Sequence, residues 1–429
     1  MGITRTLRVI SGAALTGALV FTSAPHATAD QTRDDQWALK TLEAESIWKT
    51  TKGRGQTVAV IDDGVNASHR DLEGNVLKGK DFIDGGSAAP EQGQEHGTGM
   101  AAIIAGHGHG PGNQDGVIGL APEAKILPIR DQGERQDGYA ASIRYAVDQG
   151  ASVINISQKQ PAPLNEEAEQ EAIAYALKRD VVIFAGSGND GGPVGYPAAY
   201  PGVVAVTGTD KNGKFWEKSN TGKEALLSGP GVDIVTAGGP SDLNGYRIAE
   251  GTSDSTAYAS AAAALLRTKF PDLSAGQIVN RLTKTAEVPT ALQGAKLPDE
   301  QYGYGMIRPL AALQEDIPKG TKWGPLSVPE PIKGEKASQE ELKERQEMQA
   351  ESDRQAVILW IITGVLGLLF IGAIVLTIVL VRRRKRKKAD AQAPYGYPNQ
   401  PGQAPGYGMP PHQQGPPQHT APPQQPPRN

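Results

Sequence analysis

The chain has 429 residues and a formal net charge of −4, long enough for a substantial core and too balanced to argue for a nucleic-acid partner. It contains no cysteine, which excludes a disulfide framework, a thiolate metal site and a cysteine nucleophile. Charge is nevertheless segregated: residues 382–388 read RRRKRKK, whereas residues 1–350 mix both signs.

The N-terminus has the parts of a secretory signal. Arg5 and Arg8 supply positive charge, Val9 to Thr22 is small and apolar, and Ala27-Thr28-Ala29 offers small residues at −3 and −1. Residues 1–29 are therefore expected to be a signal peptide cleaved after Ala29. A retained anchor is the alternative, disfavoured because the apolar run is short and rich in Gly, Ser and Thr.

From Gln36 to about Leu313, Val/Ile-rich runs alternate with helical patterns. This predicts an α/β fold with a mainly parallel sheet flanked by helices. The strand candidates are Thr57–Ile61, Lys125–Ile129, Ser152–Ile156, Val181–Ala185 and Val203–Thr207, each reading as buried on both faces. Helices are predicted over Gly97–Ala105, Tyr139–Gln149, Glu166–Lys178 and Ser253–Phe270. A further helix, capped by Ser274, reaches about Lys284. Residues 30–315 are taken as one domain with a short N-terminal extension.

Residues 316–355 are Pro-rich and then charged, which predicts an extended stalk passing into a polar helix. Residues 356–381 carry no charge, and at ~1.5 Å per residue they exceed the ~30 Å hydrocarbon core, so they are assigned to one transmembrane helix. A buried soluble helix is the alternative, disfavoured by the length of the uncharged run. The basic stop after it places the N-terminal domain outside the cytoplasm and the C-terminus inside. Residues 382–429 combine that stop with a Pro/Gln/Gly-rich tail of disordered composition.

Three segments pair a reactive residue with small residues that let the backbone approach it. VAVIDDGV ends a buried strand in Asp62, at the carboxyl edge where α/β sheets place ligands. HGTGMAAIIAG opens a helix of small residues with His96. GTS opens the Ala-rich helix with Ser253, whose N–H is free at a positive helix terminus suited to an oxyanion. Of the seven histidines, only His69, His96, His107 and His109 lie in the expected ectodomain. His107 and His109 read as Gly-rich loop residues, not metal ligands, and His69 as a surface or structural residue.

The order Asp62, His96, Ser253, with AGSGN at 185–189, YPAAYPGVVAVTGTD at 196–210 and LSGPGVDI at 227–234, resembles the subtilases. The resemblance implies a serine endopeptidase: Ser253 as nucleophile, His96 as general base, Asp62 as its orienting acid and the Asn189 side chain as oxyanion donor. Asn155 in VINIS lies on a strand and is ranked structural. The finer resemblance is to the mycosins, membrane-anchored subtilases associated with type VII secretion in actinobacteria. It rests on the QWALKTLEAESIWKTTKGRGQTVAVIDDGV approach to the first strand, the stalk, one C-terminal span and the basic stop. It implies a protein or peptide substrate, a membrane location and a partner, the type VII secretion membrane complex. No cofactor is implied. Subtilases often bind structural calcium, but no acidic cluster is specific enough to name ligands.

Four positions depart from the pattern. Asp254 and Ala257 follow the nucleophile where an apolar residue and often a proline stand, Lys159 replaces a cleft glycine, and Glu95 precedes His96. Asp254 and Lys159, together with the anchor, motivate an alternative, a structural subunit of the secretion complex with weak or vestigial protease activity.

Overall fold

The computed structural model describes residues 31–240 and 245–389; the expected signal peptide and residues 390–429 of the tail lie outside the described residues. Three short helices, α1 (Gln31–Asp34), α2 (Trp37–Thr41) and α3 (Ala44–Trp48), precede β1 (Thr57–Asp62) and β2 (Lys80–Asp81). Next come α4 (His96–Ala105), the hairpin of β3 (His107–His109) and β4 (Asp115–Ile118), β5 (Lys125–Arg130), α5 (Ala140–Asp148) and β6 (Val153–Ile156). Then α6 (Glu166–Lys178), β7 (Val182–Gly186), β8 (Val203–Thr209) and β9 (Ala225–Pro230) lead to the hairpin of β10 (Ile234–Ala237) and β11 (Tyr246–Ala249). The chain continues as α7 (Thr252–Lys269), α8 (Ala275–Lys284), α9 (Pro309–Gln314) and α10 (Glu330–Ala389).

Seven strands form one sheet in the order β2-β5-β1-β6-β7-β8-β9, and every pairing in it is parallel. The expected parallel α/β architecture is present, and each predicted strand is found to within two residues of its expected ends. Val58, Ala59, Val60 and Ile61 are fully buried, as a strand covered on both faces requires. Strand order reverses about β1: the chain leaves it for β5 on one side and returns to β6 on the other. Such a reversal opens a crevice beyond the carboxyl ends of the strands.

Helix α7 is buried from Thr252 to Arg267 and packs against α4 and strands β6 to β9. Its Ala and Ser residues let it pass through the interior, where a helix with a polar face would not be stable. Helix α8 starts with a capping box, Ser274 accepting from Gln277 N–H and Gln277 reaching back to Ser274 N–H. The N-terminal extension is strapped to the body: Trp37 donates to the Val232 carbonyl (3.1 Å), Trp48 to Leu120 (2.9 Å) and Gln36 to Ile118 (2.9 Å).

The stalk expected from residue 316 differs in its first part. Arg281 on α8 donates to the Ala312 (2.9 Å) and Ile317 (3.2 Å) carbonyls, and Leu326 and Ile332 are buried in the main core. Apolar side chains spaced along a Pro-rich run find a groove to fill, so this stretch packs instead of extending. A compact first unit ends at Leu342, and a second begins at Lys343. Within the second, Gln346–Arg384 is helical, long and apolar enough to cross a membrane, with Trp360, Leu368 and Phe370 exposed. This apolar helix fits a single-pass anchor.

Candidate active site

Four segments meet beyond the carboxyl ends of β1, β6 and β7, each at a strand end or a helix start. Asp62 is the last residue of β1, and its carboxylate is fully buried. One oxygen accepts from Asp63 N–H (2.8 Å), His96 Nδ1 (2.9 Å) and Gln158 Nε2 (3.3 Å). The other lies 3.0 Å from the same His96 nitrogen. This pairing sets the imidazole orientation and leaves Nε2 as the ring nitrogen available to the cleft.

His96 opens α4, and Asp63 fixes that start. Its two carboxylate oxygens accept from His96 N–H (3.0 Å) and Gly97 N–H (2.7 Å), capping two donors that a helix N-terminus leaves unpaired. A side chain at residue 97 would collide with the Gly64 carbonyl and come within 2.9 Å of Asp62 Cβ, so only glycine lets α4 start against β1. The His-Gly pair is therefore a close-approach requirement.

Ser253 is the second residue of α7. Its hydroxyl donates to the Ser157 carbonyl (3.0 Å), and the Ser157 hydroxyl donates back to the Ser253 carbonyl (3.1 Å). The structure thus pairs Asp62 with His96 but turns the Ser253 hydroxyl toward β6. Asn189 follows β7; its side-chain oxygen accepts from Thr252 N–H (2.9 Å) and the Thr252 hydroxyl (2.9 Å). Those two bonds commit the oxygen end of the amide to α7 and leave the NH2 end at the pocket that Asn189 and Ser253 both line. Asn155 is fully buried between Ser157 and Ser260, tying β6 to α7, a structural position as expected.

The electrostatics follow from burial and neighbouring charge. Burial opposes the imidazolium of His96, but the charge and hydrogen bond of Asp62 outweigh it, Arg247 also opposes it and Asp254 adds to it, leaving the group pushed up to about 9. Burial pushes the Asp254 carboxyl up to about 6 against the pull of His96 and Arg247, and its Oδ1 is buried without a hydrogen-bond partner. Burial, with the charge of Asp62, likewise raises Asp63.

The other described histidines of the first unit sit elsewhere. His109 Nδ1 meets Asp71 (2.6 Å), the His107 ring faces the Gly108 and Glu73 carbonyls, and His69 is buried beside Tyr246. Among the described residues no group of three or more His, Asp or Glu side chains is placed to hold a metal ion. The acids Asp81, Asp84 and Glu91 gather instead around the Arg130 guanidinium.

The subtilase family (peptidase S8) matches residues 53–305. The chain belongs to the subtilase family. Mycosin-1 of Mycolicibacterium smegmatis is 33% identical to this subtilase over 360 residues, covering 69% of the chain and 76% of the relative. Subtilisin DY of Bacillus licheniformis is 35% identical over 273 residues, 61% of the chain and 92% of the relative. The crystal structure of MycP1 from Mycobacterium smegmatis superposes with a TM-score of 0.58 at 30% identity, covering 71% of this subtilase and 90% of that chain. MycP3, a protease from the type VII (ESX-3) secretion system, gives 0.57 at 31% identity, covering 65% and 88%. The expected family, its mycosin relatives, the fold and the serine-protease class are borne out.

Three residues at the site escaped sequence reasoning. Asp63 has a signal, the doubled acid before glycine, read only through its first member. Gln158 and Arg247 have none: one sits beyond a strand and the other on a distant hairpin, and only folding brings them to Asp62 and His96.

Proposed function

We propose that this subtilase is a membrane-anchored extracytoplasmic endopeptidase of narrow specificity, working by an acyl-enzyme mechanism in association with a type VII secretion membrane complex. The observation that carries the chemistry is the Asp62–His96 pair, its acid fully buried and its ring partly exposed, together with a cleft lined by Ser253 at a helix N-terminus and by Asn189. Rotation of the Ser253 hydroxyl from the Ser157 carbonyl toward His96 Nε2 brings nucleophile to base. His96 takes the proton, Oγ attacks the scissile carbonyl, and the same proton passes to the leaving amine. Asp62 orients the ring and stabilises its charged form. The Ser253 N–H and the Asn189 NH2 then receive the developing oxyanion.

The association is supported by the similarity to MycP1 of the ESX-1 and MycP3 of the ESX-3 type VII secretion systems, the anchor by the apolar helix, and the topology by the two basic segments that flank the apolar runs at either end. Labelling of the full-length protein by a serine-directed fluorophosphonate, set beside its Ser253→Ala form, tests the reading. Labelling lost in the variant supports it; equal labelling of both overturns it.

The alternative, a bracing subunit with vestigial activity, is favoured by two observations: the Ser253 hydroxyl bonded to Ser157 and a buried acid directly after it. It predicts that secretion survives Ser253→Ala but not removal of residues 30–315. Loss of secretion in both would count against it.

A further inference from the structure

Beside Ser253 opens a slot of about 270 Å³ lined by Ser157, Gln158, Lys159, Gly188, Asn189 and Asp190 among others. A peptide laid along residues 157–159 with its scissile carbonyl at Asn189 would direct into this slot the side chain of the residue preceding the scissile bond. The Lys159 stem lies against Gly188, which lines the slot, and against Gly195: a β-carbon on Gly188 would sit 2.6 Å from Lys159 Cδ, and one on Gly195 would collide with Lys159 Cγ. Its ammonium meets the Asp190 carboxylate at 2.7 Å.

Both ends of this bridge are fixed. Gln160 and Tyr196 exchange backbone hydrogen bonds of 2.8 and 2.9 Å, pinning the segment that carries Lys159 to the one that carries Gly195. The buried Asn220 side chain accepts from Asp190 N–H (3.0 Å) and Gly192 N–H (3.2 Å) and donates to the Pro193 carbonyl (2.7 Å), holding the loop that presents Asp190. The hydrogen bond from Lys159 also holds the Asp190 carboxyl below its ordinary range, so Asp190 is ionised at neutral pH.

We propose, on the strength of the endopeptidase reading, that Lys159 is the specificity-determining residue of this slot. Its stem takes up the space beside Gly188 and its bridge to Asp190 joins two of the lining residues, so the slot takes a small uncharged side chain such as Ala, Ser or Thr. A large apolar side chain meets the stem. An acidic one brings a second negative charge beside Asp190, and a basic one a second positive charge beside Lys159.

The test uses the full-length protein in detergent and tetrapeptide p-nitroanilides that differ only in the residue preceding the scissile bond: Ala, Phe, Glu or Lys. The expected kcat/KM for Ala exceeds each of the others by at least about tenfold. Lys159→Gly raises the Phe substrate by at least about tenfold. Lys159→Met, which keeps a stem and loses the charge, leaves Phe poor and improves Lys, because Asp190 is then unpaired. A parent that cleaves Phe as well as Ala, or an unchanged Phe-to-Ala ratio in Lys159→Gly, overturns the assignment. Fluorophosphonate labelling of the parent separates the two readings: a labelled parent with unchanged ratios overturns this inference alone, and an unlabelled parent overturns the endopeptidase reading and this one with it.

Discussion

His96 and Asp254 lie close enough to influence each other, yet their pH dependences run in opposite directions. The folded-state pKa of His96, about 9, stands above its ordinary 6.5. Its pairing with Asp62 therefore adds stability that is fully present below about pH 6.5 and lost as pH rises through about 9. The same proton blocks the ring as a base, so kcat/KM should climb with pH toward an apparent pKa of about 9. A profile already flat at pH 7 would contradict this. Asp254→Asn removes one charge that raises His96 and should move that limb to lower pH. Asp254 itself has a carboxyl raised from 3.8 to about 6 by burial, so its charged form weakens the fold. That loss begins as pH rises above about 4 and is complete beyond about 6. Asp254→Asn should thus raise the unfolding temperature at pH 7, by a stability gain on the order of 2 kcal/mol, and change little at pH 4. Equal shifts at both pH values would show that charge burial is not the cause. For Asn189→Ala, the proposed oxyanion role predicts a kcat loss of about 10²–10³, the size seen in a subtilisin when such a donor is removed.

At the scale of the element, the start of α4 decides how well His96 is placed. Asp63 caps it with two hydrogen bonds, and Gly97 lets it abut β1. Asp63→Ala should cost about 1–2 kcal/mol of stability, read by denaturant unfolding. It should also lower kcat more than it raises KM, since the cap orients the ring without touching substrate. An effect confined to stability would reduce Asp63 to a plain helix cap. Helix α7 shows the complementary device, small residues throughout, which let Ser253 be delivered from inside the sheet-packed core.

For the whole molecule, the first unit reaches past the residue where composition suggested a stalk. A chain ended at 315 would lose the burial of Leu326 and Ile332, each worth roughly 1.5–3 kcal/mol as an upper estimate, and should unfold at lower denaturant than one ended at 342. Equal midpoints would mean that residues 316–342 contribute nothing to the fold. Removing residues 356–381 should release the protein from the membrane fraction, which fractionation would detect.

The strands, the buried Ala-rich helix and the apolar span were legible in the sequence because each depends on local periodicity and on water being excluded from apolar runs. The candidates Asp62, His96 and Ser253 stood out too, since each has small neighbours that leave a mark in the chain, whereas Asn189 came from the resemblance to the subtilases. Contacts between distant segments left no such mark. Sequence alone did not reveal that Asp63 caps α4 or that Arg247 stands near His96. Nor did it foresee that Lys159 reaches Asp190, that the Ser253 hydroxyl turns to Ser157 and that the Pro-rich run packs down. Those depend on which side chains share a crevice once parallel strands order themselves, and that ordering is a property of the packed sheet.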